Sequence, residues 1–507
     1  MEYRFEPNRG VRPPEVREET FDREITVDAV LPDYCDDVSR IVRVDAHPSV
    51  RSKHAGALGA RVEGSVTVCV IYVSDPGGAL KSMSFTSDFE HAFERSEGLD
   101  GTLRAEAEVT GLNCRLLNPR KLSVRIELSG RVRSYLVRES MAPSHAGEGD
   151  GVEFLRQRAG MYSVLCGEGS SRMEESLTVP GDMPAVGEII YASATLCTDD
   201  VKPLYDKAVV KFTANLKLVY SAADAPGDIR VLERRVPSTQ IVDVSGLDED
   251  HQCTCRLSLT SQKASVAADP YGENRMISVE LAVASDLCAF RNSEVEFVRD
   301  AYSTKFESHV TSDAFEARRF VCAVRERRDV EDGIMLEDAG VAAALDTAGV
   351  FVLSGSSVSG RALTVEGNAE MSVTVRLEGG ELQSLDCTIP IRLDFPVPEI
   401  MGAGSADIHA RIVEASSSVA SGRLTVRLSV ACEAAVFDSE TVPAVREITY
   451  DTDRLRVRRT DVQTLIYYPE PGESMWAVAK RYGVEASRVT RHESRVPGGA
   501  GIVVIPL

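Results

Sequence analysis

The sequence predicts a mainly β chain: three tandem antiparallel β-sandwich-like repeats followed by a small βααβ domain. Three observations lead there. Long stretches alternate strictly between apolar and polar residues, the period of a strand with one buried face. Two such stretches recur three times at nearly one spacing. Few stretches in the first 460 residues show helical periodicity, and the pattern changes from about Gln463 onward.

The first marker strand runs Val62, Gly64, Val66, Val68, Val70, Tyr72. Its counterparts are Val210, Phe212, Ala214, Leu216, Leu218, Tyr220 and Leu363, Val365, Gly367, Ala369, Met371, Val373, Val375. The equivalent positions Gly64, Phe212 and Gly367 lie 148 and 155 residues apart. The second marker is Leu122, Val124, Ile126, Leu128, which returns as Ile277, Val279, Leu281, Val283 and as Leu424, Val426, Leu428, Val430. Its separations are 155 and 147 residues, so two landmarks share one period and the unit is triplicated. A short segment opens the first two copies: Leu31-Pro32-Asp33-Tyr34 with Ile41-Val42-Arg43-Val44, and Met183-Pro184 with Ile189-Ile190. The third copy has no clear counterpart.

These landmarks divide the chain into a polar tail at 1–20, β-domains at 21–140, 161–310 and 311–455, a linker at 141–160, and a C-terminal domain with its own linker at 456–507. Met141–Gly151 is rich in Gly, Ser and Pro. A chain of 507 residues exceeds one hydrophobic core, and 43% apolar with 27% charged residues is ordinary for folded domains. A formal net charge of −21 argues against coating nucleic acid or an anionic membrane, since both need clustered Lys and Arg. Met1–Gly10 has no apolar core of a secretion signal, and no stretch approaches the roughly 18 apolar residues that span a bilayer. The chain is therefore expected to stay in the compartment where it is made. Its eleven cysteines form no Cys-x-x-Cys pair and read as small buried hydrophobes in a reducing cytoplasm. Cys253 and Cys255 share a strand face but lack the partners of a zinc site.

In the C-terminal domain, Leu465–Tyr468 is a short strand closed by Pro469-Glu470-Pro471-Gly472. Met475, Val478, Ala479 and Tyr482 follow the i, i+3, i+4, i+7 spacing of a helix face, with Ser474 as N-cap and Gly483 as C-terminal stop. A second helix over Ala486–His492 and a strand over Ile502–Pro506 complete βααβ. The run from Pro471-Gly-Glu-Ser-Met-Trp476 to Tyr482-Gly-Val484, with Ile502-Val-Val-Ile-Pro506, resembles a LysM domain. That resemblance implies a groove for N-acetylglucosamine-containing glycans. Gly472, Glu473, Ser474 and Met475 would form one side, and Glu493, Ser494, Arg495 and Val496 the other. Glu473-Ser474 stands where LysM domains usually carry Asp-Thr, and Glu493 where they carry Asn. Trp476, the only tryptophan, lies beside the apolar stripe and reads as a core residue before a sugar-stacking one.

The repeats in turn resemble the SPOCS domains of clostridial-type spore coat proteins. The resemblance is carried by Leu31-Pro-Asp-Tyr34 with Ile41-Val-Arg-Val44, Val62-Glu-Gly-Ser-Val66 leading to Ile71-Tyr72, Arg120-Lys-Leu-Ser-Val-Arg125, and Val365-Glu-Gly367. It implies a non-enzymatic scaffold in the mother-cell cytoplasm, at the forespore surface. Its LysM domain would bind the coat morphogenetic ATPase that, with other coat proteins, polymerises there. The alternative is a peptidoglycan-binding protein that acts through the same domain. Lectin-like sugar binding by the β-domains would rest on fold alone.

Catalytic patterns are missing from the sequence. It contains no Gly-x-x-x-x-Gly-Lys-Ser/Thr loop, no Gly-x-Ser-x-Gly elbow and no His-Glu-x-x-His helix. Asp36-Asp37, near a Pro-containing turn, reads as solvated surface, and Arg454, Arg456, Arg458 and Arg459 as an exposed tether. No catalytic residue, metal ligand or cofactor is expected.

Overall fold

The computed structural model describes residues 2–4, 6–7, 15–56, 59–94, 102–136, 143–145, 151–225, 227–267, 272–336, 340–456, 462–470, 472–492 and 501–506. Strands dominate. The first repeat holds β1 (Glu15–Val30), β2 (Asp37–Gly56), β3 (Gly59–Asp75), β4 (Leu80–Glu94), β5 (Thr102–Asn118) and β6 (Lys121–Leu136). The second holds β7 (Val152–Thr178), β8 (Val186–Leu204), β9 (Lys207–Ala222), β10 (Ile229–Asp243), β11 (Gln252–Ala267) and β12 (Met276–Ser303). The third holds β13 (Phe306–Met335), β14 (Val341–Ser359), β15 (Ala362–Leu377), β16 (Leu382–Pro396), β17 (Ala403–Ala420) and β18 (Arg423–Leu455).

One topology serves all three. The first strand leaves for a three-stranded meander, and the chain then returns in a hairpin whose last strand pairs with the first. The resulting antiparallel sheets are β1-β6-β5 and β2-β3-β4, then β7-β12-β11 and β8-β9-β10, then β13-β18-β17 and β14-β15-β16. Both marker strands of each repeat are central strands, paired on each side. Alternate residues of the two central strands enter one shared core. Val62, Val66, Val68 and Val70 meet Leu122, Val124 and Ile126 in the first repeat. Val210, Phe212 and Ala214 meet Ile277, Val279 and Leu281 in the second. Leu363, Val365 and Val373 meet Leu424, Val426 and Val430 in the third. Each fully buried Val or Leu contributes roughly 1.5–3 kcal/mol.

The departure at Phe212 has a packing reason. A Cβ on Gly64 would lie 2.4 Å from Phe89 Cζ, because the Phe89 ring of the neighbouring strand fills that volume. A Cβ on Gly367 would likewise lie 2.5 Å from Phe351 Cζ. In the second repeat the residue opposite Phe212 is the small Ser238, and Phe212 itself is buried there. One aromatic ring thus occupies this place in every repeat, supplied by three different strands.

The third repeat has no opening segment in sequence, yet β14 stands at that place and pairs with β15. Its Ala- and Ser-rich run hides the alternation. Residues Glu2–Arg4 pair with Glu447–Thr449 of β18, so the start of the chain joins the sheet of the third repeat.

The C-terminal domain contains β19 (Thr464–Tyr467), α1 (Met475–Tyr482), a 3-10 turn (Ala486–Arg488), β20 (Thr490–His492) and β21 (Ile502–Pro506), with strand order β19-β21-β20. The helix expected over Ala486–His492 is corrected to that single turn followed by a strand. Val489 and Thr490 are β-branched and favour extended backbone, and Thr490–His492 take a ladder with Ile502–Val504. Among the described residues no helix is long and apolar enough to cross a membrane.

Candidate functional site

The expected groove divides sharply. Glu493, Ser494, Arg495 and Val496 lie outside the described residues. Gly472 takes a left-handed backbone (φ 84°) at the turn before α1. Ser474 caps the helix, its hydroxyl accepting from the Ala477 N–H at 3.1 Å. Gly483 ends it at φ 65°, with the Val484 N–H reaching back to the Ala479 carbonyl. Glu473 faces inward. Its carboxylate accepts from the Tyr467 hydroxyl at 2.8 Å and pairs with Arg481 at 2.7 Å, with 9% of the side chain exposed. The hydrogen bond from Tyr467 lowers the Glu473 carboxyl below its usual range. Met475 is half-buried and packs on the domain's own core.

Trp476 is partly buried, packs against the domain core as expected, and also reaches beyond it. Its indole Nε1 donates to Asp300 Oδ2 at 2.8 Å, and its ring lies edge-on to Tyr302 with centroids 4.8 Å apart. Lys480 Nζ reaches Asp300 Oδ1 at 2.6 Å, and the Tyr302 hydroxyl donates to the Val484 carbonyl at 2.7 Å. The end of β12 is therefore a docking platform for α1. Of the basic run, Arg456 also docks: its N–H donates to the Lys305 carbonyl, and its side chain lies over Gly483. Arg458 and Arg459 lie outside the described residues. Ile466 and Tyr468, by contrast, are 58% and 67% exposed.

A second site lies where the repeats meet. Arg43, Tyr191 and Asp346 each follow the same register irregularity in β2, β8 and β14, at separations of 148 and 155 residues. These equivalent residues converge: Arg43 pairs with Asp346 at 2.6 Å and lies 5.0 Å from the centre of the Tyr191 ring. Tyr135, Phe290 and Phe437, another equivalent trio, share one buried cluster. The irregularities in β5, β11 and β17 make Arg104, Thr254 and Asp407 equivalent, and likewise Glu106, Arg256 and His409. Arg256 Nη1 donates to Glu106 at 2.8 Å, and its Nη2 donates to Asp407. Asp407 also pairs with Arg133 and, at 3.6 Å, with Arg104. Equivalent residues meet in this way when copies surround a threefold axis. Here the three members differ, so opposite charges face each other.

Burial alone would raise the Asp407 carboxyl, but Arg256, Arg133 and Arg104 outweigh it and hold it far below the usual range. Burial, with Arg411 and Arg256 nearby, pushes His409 down to about 3, so its imidazole is neutral at pH 7. Between the second and third repeats a cavity of about 170 Å³ is lined by Thr198, Asp199, Arg325, Arg327, His409, Arg411 and Glu433. Arg327 pairs with Asp199 from one repeat to the other at 3.6 Å, and Arg325 pairs with Glu433, its partner on the neighbouring strand, at 3.4 Å. Asp37 is held by Arg120 at 2.7 Å. Cys253 and Cys255 are both buried, and all eleven cysteines are free thiols. Among the described residues no three His, Cys, Asp or Glu side chains are placed to hold a metal ion.

Of the junction residues only Arg43 falls in a named segment, Ile41-Val-Arg-Val44, where no role is assigned to it; the others and the Asp300–Tyr302 platform carry no motif. The repeat spacing alone could have aligned Arg43, Tyr191 and Asp346.

Compared with known families, residues 185–267 match the model described as SipL, SPOCS domain. The matched span runs from β8 through β11 of the second repeat. No curated protein and no solved structure matches the chain.

Proposed function

We propose that this chain, a SPOCS-domain protein of the SipL type by its residues 185–267, is a non-enzymatic scaffold of spore coat assembly. The SPOCS domain ties it to sporulation. In this reading 21–140, 161–310 and 311–455 are three SPOCS-like sandwich units, and the LysM-like domain after 456 docks on the coat morphogenetic ATPase. The protein then acts in the mother-cell cytoplasm, holding coat proteins at the forespore surface without a cofactor.

The observation that carries the docking role is the state of the C-terminal domain. Glu473 and Trp476, the residues best suited to grip a sugar, are engaged within the chain. Ile466 and Tyr468 stay exposed, the composition of a protein-binding surface. Glu473, Ser474 and Met475 then shape the loop beside that surface, with Gly472 supplying its turn.

The test compares the full chain with a truncation ending at Val462, both for binding to the purified ATPase and for localisation in sporulating cells. Binding and forespore localisation that disappear with the truncation support the scaffold. Co-sedimentation of the full chain with purified sacculi, competed by chitin oligomers and without ATPase binding, would establish the peptidoglycan reading instead.

A further inference from the structure

We propose that Cys166 and Cys288 form a reversible disulfide, a redox modification site set at the meeting point of the three repeats. The two residues are direct partners on the antiparallel strands β7 and β12, and their sulfurs are 3.3 Å apart. Opposed residues on such strands have Cα atoms about 4.5–5.5 Å apart, within the span a disulfide bridges. Closing the bond therefore requires small side-chain rotations and no movement of the sheet. Cys166 is half-buried, whereas Cys288 is wholly buried in the cluster that holds Tyr135, Phe290 and Phe437. Cys288 stands at the position equivalent to Arg133 and Ala435, so the bond would fasten the second repeat where the other two press on it.

The surroundings favour the reaction. The hydrogen bond between the two sulfurs, with burial, raises the Cys166 thiol, whereas the same hydrogen bond and the Arg104 guanidinium lower Cys288 against its burial, so the pair's one thiolate rests on Cys288. A low-molecular-weight disulfide, RSSR, meets the more accessible partner first. The Cys166 sulfur attacks one sulfur of RSSR while its proton passes along the hydrogen bond to the Cys288 sulfur and on to solvent, the S–S bond of RSSR breaks and RS⁻ leaves. The Cys288 thiolate then attacks Cys166 Sγ and displaces the second RS⁻. Two protein thiols lose two electrons and two protons, and RSSR is reduced to two RSH.

The experiment treats the full chain with glutathione disulfide, alkylates it under denaturing conditions and maps its peptides by mass spectrometry. The expected result is a single Cys166–Cys288 crosslink, formed before any other of the eleven cysteines reacts. The unfolding temperature should rise by several degrees, since the bond closes a loop whose ends lie 122 residues apart, and dithiothreitol should reverse the shift. Cys166→Ser should show neither change. Glutathione retained on Cys166 with Cys288 still alkylatable, or an earlier bond between other cysteines, would overturn the proposal. The peptide map of the unsubstituted chain decides this even where the variant fails to fold.

Discussion

Arg43 and Asp346 hold the same place in two different repeats, 303 residues apart, and form an ion pair of 2.6 Å with 2% and 5% of their side chains exposed. The Tyr191 ring, from the same place in the second repeat, covers the guanidinium. The pair joins the ends of a three-member ring, and its polarity fixes which repeat faces which.

Removing one member should be costly. Asp346→Ala leaves a buried guanidinium whose remaining carboxylate is Asp45 at 2.9 Å. Loss of a buried partner costs about 3–5 kcal/mol, and the Asp45 contact reduces that to about 2–3 kcal/mol here. Urea titration of the variant checks it. The double substitution Arg43→Met, Asp346→Leu should recover part of the loss, because the buried guanidinium is gone and only the Asp45 carboxylate, 14% exposed, has then lost its partner.

Acid should weaken the junction in a defined window. The folded-state values of Asp346, Asp407 and Glu106 lie below their unfolded ones, in each case because neighbouring cations outweigh burial. Below the unfolded carboxylate value of about 4 the unfolded chain therefore binds more protons than the folded one. Stability from these groups is fully present above that pH and is lost as pH falls through the depressed values. Urea midpoints measured from pH 7 to pH 2 should hold steady and then drop below about pH 4. A midpoint unchanged down to pH 2 would contradict the assignment.

Docking of the C-terminal domain can be followed by light. Trp476 is the only tryptophan, and its indole donates to Asp300. Asp300→Ala removes that acceptor and the partner of Lys480, a loss of about 1–2 kcal/mol for half-exposed groups. The emission of Trp476 should shift to the red, with the circular dichroism of the β repeats unchanged. Tyr302→Phe, which keeps the ring but loses the bond to Val484, should give a smaller shift of the same sign.

The aromatic position shared by the repeats offers a test of their equivalence. Phe212→Gly should cost about 3–5 kcal/mol, the range for emptying a core aromatic site. Adding Ser238→Phe recreates the Gly64 and Phe89 arrangement of the first repeat and should restore more than half of that loss. Thermal unfolding of the single and double variants decides it.

The central strands were legible because their physics is local. β3, β9, β15 and their partners β6, β12, β18 have neighbours on both sides and one core face, which writes a strict period of two into the sequence. Ser474 and Gly483 were legible for the same reason, since a cap acts within one helical turn. Edge strands were harder. β14, beginning Val341-Ala-Ala-Ala-Leu345, has three register irregularities that interrupt its alternation. The second C-terminal helix failed because Thr490–His492 take their conformation from a strand whose partner residues lie 10 to 14 positions further on.

Periodicity, capping and β-branching act over a few residues, so the mainly β character of the chain, its recurring central strands and the helix at Met475–Tyr482 could be read locally. That Arg43 meets Asp346, that Trp476 turns to Asp300 and that Cys166 faces Cys288 follows from how the sheets pack. Those pairings join residues 122 to 303 positions apart, and no local period records which charge, ring or sulfur will lie opposite another once the sheets have packed.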